Sequence, residues 1–270
     1  MAGDRIGFVG AGQMARALAR GIVRAGQVTA QCVIAHDPAR EAGQQFLNEI
    51  PGAQMVATNR EVVEQSEVVF LAVKPQMFAE IAAELAAVPK PDKLIVSILA
   101  GVRLSSLCRQ LSSQRIIRVM PNTPSLVGCG AAAFALGSGA TREDSDRVDR
   151  LLRSVGIAFE VEERLLDAVT GLSGSGPAYV YAMIEALSDG GVRVGLPRRT
   201  ASALAAQTVL GAAQMVLSAP EHPAVLRERV TSPGGTTIAG LQVLERRGLR
   251  SALIDAVEAA TRRSEELGQA

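Results

Sequence analysis

"RIGFVGAGQMARALARGIVRAG", residues 5–26, decides the fold. It opens with an apolar run, "RIGFVG" (5–10), which reads as a buried strand. The glycines then give G-x-G-x-x-A, with Gly10, Gly12 and Ala15. From Gln13 the period changes: Met14, Leu18 and Ile22 recur at fourfold spacing, and Gly26 closes a helix over 13–26. Strand, glycine turn and helix in that order are the context a dinucleotide fingerprint requires. Gly10 permits the tight turn, Gly12 lets the backbone approach a pyrophosphate, and Ala15 keeps helix and strand close. The helix N-terminus then favours the phosphates. A ligand-free strand–helix turn carries the same residues. Its place at the head of an α/β pattern favours a cofactor.

Working outward, "CVIAHD" (32–37), "EVVFLAV" (67–73), "KLIVSIL" (93–99) and "RIIRVM" (115–120) read as further strands, with helical stretches such as 76–88 between them. Continuous β-branched runs separated by helices imply a parallel sheet covered on both faces, the doubly wound α/β architecture. From about Leu165 these runs stop. Helical patterns follow over 176–195, 196–219 and 249–267, rich in Ala and Gly. The expected organisation is therefore a Rossmann-type doubly wound domain, 1–163, followed by an all-helical domain, 164–270. The terminal helix is apolar on more than one face, at Leu253, Ile254, Val257 and Ala260, which predicts a subunit interface.

Composition narrows the function classes. Lys and Arg number 28 against 27 Asp and Glu, so nothing in the charge favours nucleic acid or an anionic membrane as partner. Aromatic residues are 3% with no Trp, too few for base-stacking surfaces. Cys32, Cys108 and Cys129 are widely spaced and form no metal or disulfide pattern. No signal pattern stands at the N-terminus, and no apolar run approaches the roughly 18 residues of a membrane span. The expectation is a cytoplasmic protein.

Asp37 ends the second strand. An acid there can bind the ribose 2′-OH of NAD, or cap the next helix ahead of Pro38. His36, Arg40 and Asn59-Arg60 could instead meet a 2′-phosphate, Arg40 through two guanidinium donors. The balance leans to NADP, with NAD as the alternative. Lys74, in "LAVKPQ" (71–76), stands at the carboxyl edge of the sheet, near a cofactor or as an ordinary strand-end lysine. In "RVMPNTPSLVGCG" (118–130), prolines bracket Asn122 and Thr123, which makes a rigid loop able to hold a nicotinamide ring or a plain crossover. "GLSGSGPAY" (171–179) brings Ser173 and Ser175 to a helix start. "TSPGGTT" (231–237) forms a polar, glycine-paired turn before an apolar-periodic run, a cradle for an anion.

Absences matter too. There are two histidines, His36 and His222, and no metal spacing or nucleophile–base grouping. The second half has no Lys to serve as proton donor to a carbonyl. A protonated imine needs no such acid; positioning beside the nicotinamide suffices.

"FVGAGQMA", "LAVKPQ", "VMPNTP", "GLSGSGPAY", "DGGVRVGLPR" and "VTSPGGTTIAGLQVLE" occur here in the order seen in pyrroline-5-carboxylate reductases. The chain resembles that family over nearly its whole length, and the last motif is the family's signature. The resemblance implies an NAD(P)H-dependent oxidoreductase that reduces 1-pyrroline-5-carboxylate to L-proline, the last step of proline biosynthesis. It implies a helical domain that dimerises, active sites formed between subunits, and assembly to a homodimer or up to a decamer. By position, Val9, Gly10, Ala11, Gly12, Gln13 and Met14 match the pyrophosphate loop. Asn59 matches a residue near the adenosine ribose or its 2′-phosphate. Ala72, Val73, Lys74 and Pro75 match a cofactor-contacting segment, and Ala100 a residue on the nicotinamide side. Ser232, Gly234, Gly235, Thr236 and Thr237 match the substrate loop, Thr237 reaching the ring nitrogen. Arg229 and His36-Asp37 depart from residues found in some relatives. The backbone N–H groups of Gly234, Gly235 and Thr236 are expected to bind the substrate carboxylate.

A β-hydroxyacid dehydrogenase would need a helical-domain lysine, which is absent. An NADP-sensing regulator would leave "SPGGTT" without a small-molecule task.

Overall fold

The computed structural model describes residues 5–89 and 93–268. The chain divides into two compact units, one running to Ser175 and resumed from Glu258, the other Gly176–Val257.

The first unit is an eight-stranded sheet in the order β3-β2-β1-β4-β5-β6-β7-β8. The strands are β1 (Ile6–Val9), β2 (Val33–His36), β3 (Gln54–Met55), β4 (Val68–Leu71), β5 (Leu94–Ser97), β6 (Ile116–Met120), β7 (Gly130–Leu136) and β8 (Gly156–Glu160). Strands β1 to β6 are parallel; β6 and β7 pair antiparallel, and β8 runs parallel to β7. Helices α1 (Gln13–Arg24), α2 (Arg40–Glu49), α3 (Asn59–Gln65), α4 (Phe78–Ala86), α5 (Leu104–Leu111) and α6 (Arg142–Arg153) connect them. Two hydrophobic clusters form, one around Phe8, Phe46 and Phe70, the other around Leu71, Leu85 and Leu107. In the first, Phe8 stacks on Phe70 at 5.0 Å between ring centroids. This is what parallel strands buried on both faces require.

The strands expected from β-branched runs all form, each shorter than its run. Strands β3, β7 and β8 go beyond that reading. Strand β7 is "GAAAFAL", poor in β-branched residues, and is held by its pairing with β6 and β8 rather than by propensity. Helix α6 starts with a capping box between Thr141 and Asp144. Burial pushes the Asp144 carboxyl up, but bonds from Arg115 and from the Thr141 backbone outweigh it and hold the group below its ordinary range.

After α7 (Leu166–Val169) comes a π-helical turn, Thr170–Gly174. The second unit then holds α8 (Gly176–Arg193), α9 (Arg198–Ser218), α10 (Pro223–Arg229) and α11 (Thr236–Arg246), and α12 (Leu249–Leu267) returns to the first unit. Helices α8 and α9 approach closely where Gly191 faces Ala201; a Cβ on Gly191 would lie 3.0 Å from that of Ala201. Arg198 bonds both Ser188 and Asp189 across the same crossing.

One expectation is corrected here. Helix α9 has a mean hydropathy of 1.3 over its most apolar window, so by length and composition it could cross a membrane. Its polar residues (Thr200, Ser202, the pair Gln207-Thr208, and Gln214) are spread among Ala, Leu and Val, which hides the run from a search for unbroken apolar stretches.

Candidate active site

In a sheet of this order the direction of winding reverses between β1 and β4, and ligands bind at the carboxyl ends of the strands there. Because β1 to β6 are parallel, their carboxyl ends share one edge. Val9 to Met14 follow β1, Asp37 follows β2, Asn59 follows β3, Ala72 to Pro75 follow β4, Ala100 follows β5 and Asn122 follows β6. All the residues expected to contact the cofactor therefore gather along one edge of one sheet.

The glycine loop is built for a backbone approach. The Val9 carbonyl accepts from Ala72 N–H at 2.8 Å, and Gly10 N–H donates to the His36 carbonyl at 2.8 Å, which ties β1 to both neighbours. Gly10 has φ +96°, and a Cβ there would lie 2.7 Å from the Ala72 carbonyl oxygen. Only glycine fits on both counts. Gly12 is the N-cap of α1, with no side-chain cap and nothing within 4 Å of where its Cβ would stand. Ala15 is fully buried. Uncapped N–H groups at the head of a twelve-residue helix, beside open space at Gly12, fit a dinucleotide pyrophosphate.

Asp37 is held on two sides. Its Oδ1 accepts from Ala39 N–H at 2.9 Å just ahead of α2, and its Oδ2 accepts from Ala11 N–H at 2.8 Å, inside the glycine loop. The expected capping of the next helix, with Pro38 at its first position, is corrected: α2 starts at Arg40, its N-cap is Ala39, and no side chain caps it. Asn59 donates through Nδ2 to Glu84 at 2.8 Å, and Arg60 pairs with Glu64 at 2.7 Å. Lys74 is exposed at the end of the β4 segment.

Asn122 is buried and its amide is engaged on both sides. Oδ1 accepts from Ala131 N–H at 2.9 Å, and Nδ2 donates to the Ser173 carbonyl at 3.0 Å. The side chain thus clamps the proline-bracketed loop to β7 and to the π-helical turn, so the amide holds the loop in place. A Cβ on Gly174 would stand 2.6 Å from the Met120 methyl carbon, so a larger residue in that turn would make the Met120 side chain shift.

A cavity of 730 Å³ opens beside this edge within the first unit, lined by Pro75, Phe78, Ala100, Arg103, Ser175 and Leu267 among others. Pro75, Ala100 and Ser175 were singled out from the sequence. Arg103 was not, although its place just after the strand-end "LAG" could have marked it.

In the second unit, the "SPGGTT" turn ends on α11. Gly234 has φ +66°, and Gly235 is the helix N-cap with no side-chain cap. Thr236, Thr237 and Ile238 head the helix, where N–H groups have no intrahelical acceptor. The expected donor set is corrected at one position: Gly235 N–H closes the turn on the Ser232 carbonyl at 3.0 Å. A Cβ on Gly235 would meet the Ser232 hydroxyl, so a larger residue there would make that side chain shift. Upstream, Arg229 bonds Glu221 at 2.6 Å, which lowers the Glu221 carboxyl. That pair fixes the end of α10 ahead of the turn.

Comparison with known proteins accounts for both units. The family model "Pyrroline-5-carboxylate reductase dimerisation" matches residues 163–267, and "NADP oxidoreductase coenzyme F420-dependent" matches residues 5–101. The pyrroline-5-carboxylate reductase of Arabidopsis thaliana is 47% identical over 98% of this chain and 96% of its own length. The chain belongs to the pyrroline-5-carboxylate reductase family. Human pyrroline-5-carboxylate reductase 2 is 46% identical over 97% of this chain and 83% of its own. The solved reductase from Coxiella burnetii superposes with a TM-score of 0.92 at 34% identity, covering 98% of each chain. That of Plasmodium falciparum, solved with NADP bound, superposes at 0.88 with 32% identity over 99% of each chain.

Proposed function

We propose that this protein reduces 1-pyrroline-5-carboxylate to L-proline, the last step of proline biosynthesis, with NADP(H) as cofactor and NAD(H) as an alternative. The observation that carries this reading is the match to reductases of that name over nearly the whole chain. The placement of the sequence motifs supports it.

When bound, the reduced nicotinamide supplies a hydride to the C=N carbon. The protein's residues bind and orient. Gly12 and the head of α1 take the pyrophosphate. Ala72 to Pro75, Ala100 and the loop held by Asn122 border the nicotinamide. Gly234 and Thr236 N–H groups take the substrate carboxylate, each charge-assisted bond contributing on the order of 1.5–3 kcal/mol. Ser232 keeps the turn closed around them, and the Thr237 hydroxyl bonds the ring nitrogen. The imine nitrogen arrives protonated, so the step asks for orientation rather than an acid.

The division of labour we propose is a dinucleotide-binding region, 1–163, and a helical substrate-binding and dimerisation region, 164–270. The active site then forms between the nucleotide region of one subunit and the helical region of another, in a homodimer or a decamer. On this reading the apolar length of α9 is covered by another subunit and not by lipid, the protein is cytoplasmic, and nucleic acid is not a partner.

The test is spectrophotometric. Purified protein should oxidise NADPH when 1-pyrroline-5-carboxylate is added and should form proline in equal amount. Oxidation without proline, or none at all, would overturn the reading.

A further inference from the structure

We infer that Asp37, opposed by Arg40, sets the dinucleotide selectivity of this chain, restraining the 2′-phosphate of NADP(H) and so admitting NAD(H) beside it. This rests on the cofactor reading above and concerns the ribose end alone.

Asp37 directly follows β2, half-buried, with one oxygen on Ala11 N–H and the other on Ala39 N–H. Two backbone donors from separate segments hold the carboxylate in one place, so it cannot swing away from a ligand at that strand end. Each oxygen keeps a further acceptor lone pair and the group has no donor to offer. It therefore suits a ribose hydroxyl and opposes a phosphate of like charge.

The groups that could offset that charge are almost all committed elsewhere. The Nδ1 of His36 lies 3.1 Å from the Val56 carbonyl. Asn59 is bonded to Glu84, and Arg60 is neutralised by Glu64. Arg40, exposed at the start of α2, is left as the cation able to take two phosphate oxygens. Selectivity is then a contest between one fixed negative charge and one mobile positive charge.

The test separates the ribose end from catalysis. Affinities for 2′,5′-ADP and 5′-AMP are measured by calorimetry on the full-length protein, as wild type, Asp37→Asn and Arg40→Gln. Asp37→Asn removes the charge and keeps an acceptor oxygen. It should tighten 2′,5′-ADP relative to 5′-AMP at least tenfold. Arg40→Gln should move the same ratio the other way at least fivefold. A ratio within twofold of wild type in both variants would overturn the assignment while leaving the cofactor reading intact. Wild-type protein that binds neither fragment would overturn both. Arg40 is exposed, so its variant keeps the test decisive if Asp37→Asn does not fold.

Discussion

The two units solve opposite problems. The first buries its central strands completely: Phe8, Val33, Phe70 and Val96 are each fully enclosed, and two clusters flank the sheet. The second does not enclose its apolar surface. Leu204, Leu210, Met215 and Leu217 on α9 and Ile238 and Val243 on α11 stay exposed, and Ala201 and Ala205 are the buried residues of α9. A monomer rarely leaves so much apolar surface on its helices unless another surface covers it. The first unit encloses its own core, while the second leaves the apolar surface that the proposed association would cover.

Substitutions can break that contrast. The largest effect should fall on the enclosed core. Phe8→Ala should cost about 3–5 kcal/mol of stability in denaturant titration. A loss under 1 kcal/mol would mean the Phe8–Phe70 stack is not central. Next comes the glycine loop. Gly12→Val fills the space left open at the α1 N-cap and should weaken NADPH binding by about 100-fold, near 2.8 kcal/mol, with the melting temperature little changed. Unaltered affinity in a fluorescence titration would move the cofactor elsewhere. Thr237→Ala should lower kcat at least tenfold, about 1.4 kcal/mol of barrier. Unchanged kinetics would remove Thr237 from the mechanism. The smallest effect on folding should come from Leu217→Ser, at a side chain 77% exposed, within about 0.5 kcal/mol for the protomer. The same change should shift the subunit equilibrium towards monomer in analytical ultracentrifugation. A protomer as sensitive there as at Phe8 would erase the contrast.

The legibility of the sequence followed the same division. The strands β1, β2, β4, β5 and β6 announce themselves because a doubly covered sheet leaves mostly apolar runs, broken in β6 by Arg118 and in β5 by Ser97. Strand β7, built of alanines, is set by its neighbours, and no local preference marks it. The sheet edge proposed for the cofactor was legible because every residue expected to contact it follows a strand end, and chain order alone places strand ends. What side chains do there was less so. Asp37 braces the glycine loop through a bond from Ala11 N–H across 26 residues that no local pattern encodes, and α2 starts without the cap expected of it. The commitment of Asn122 to Ser173, and of Gly235 N–H to Ser232, likewise depends on backbone geometry that residue types do not fix. The exposed face of α9 is a further case: scattered Ala, Gln and Ser blur its period, so amphipathicity gave no warning of how much would stay uncovered.

On the proposed assembly, the two units carry two halves of one site, brought together between subunits. Mixing tests it most directly. Gly12→Val and Thr237→Ala proteins, each defective alone, are combined, dissociated and reassociated at equal concentration. If the halves come from different subunits, mixed dimers regain one intact site each, and activity rises to about a quarter of wild type. Activity that stays at the average of the two separate variants would contradict the account.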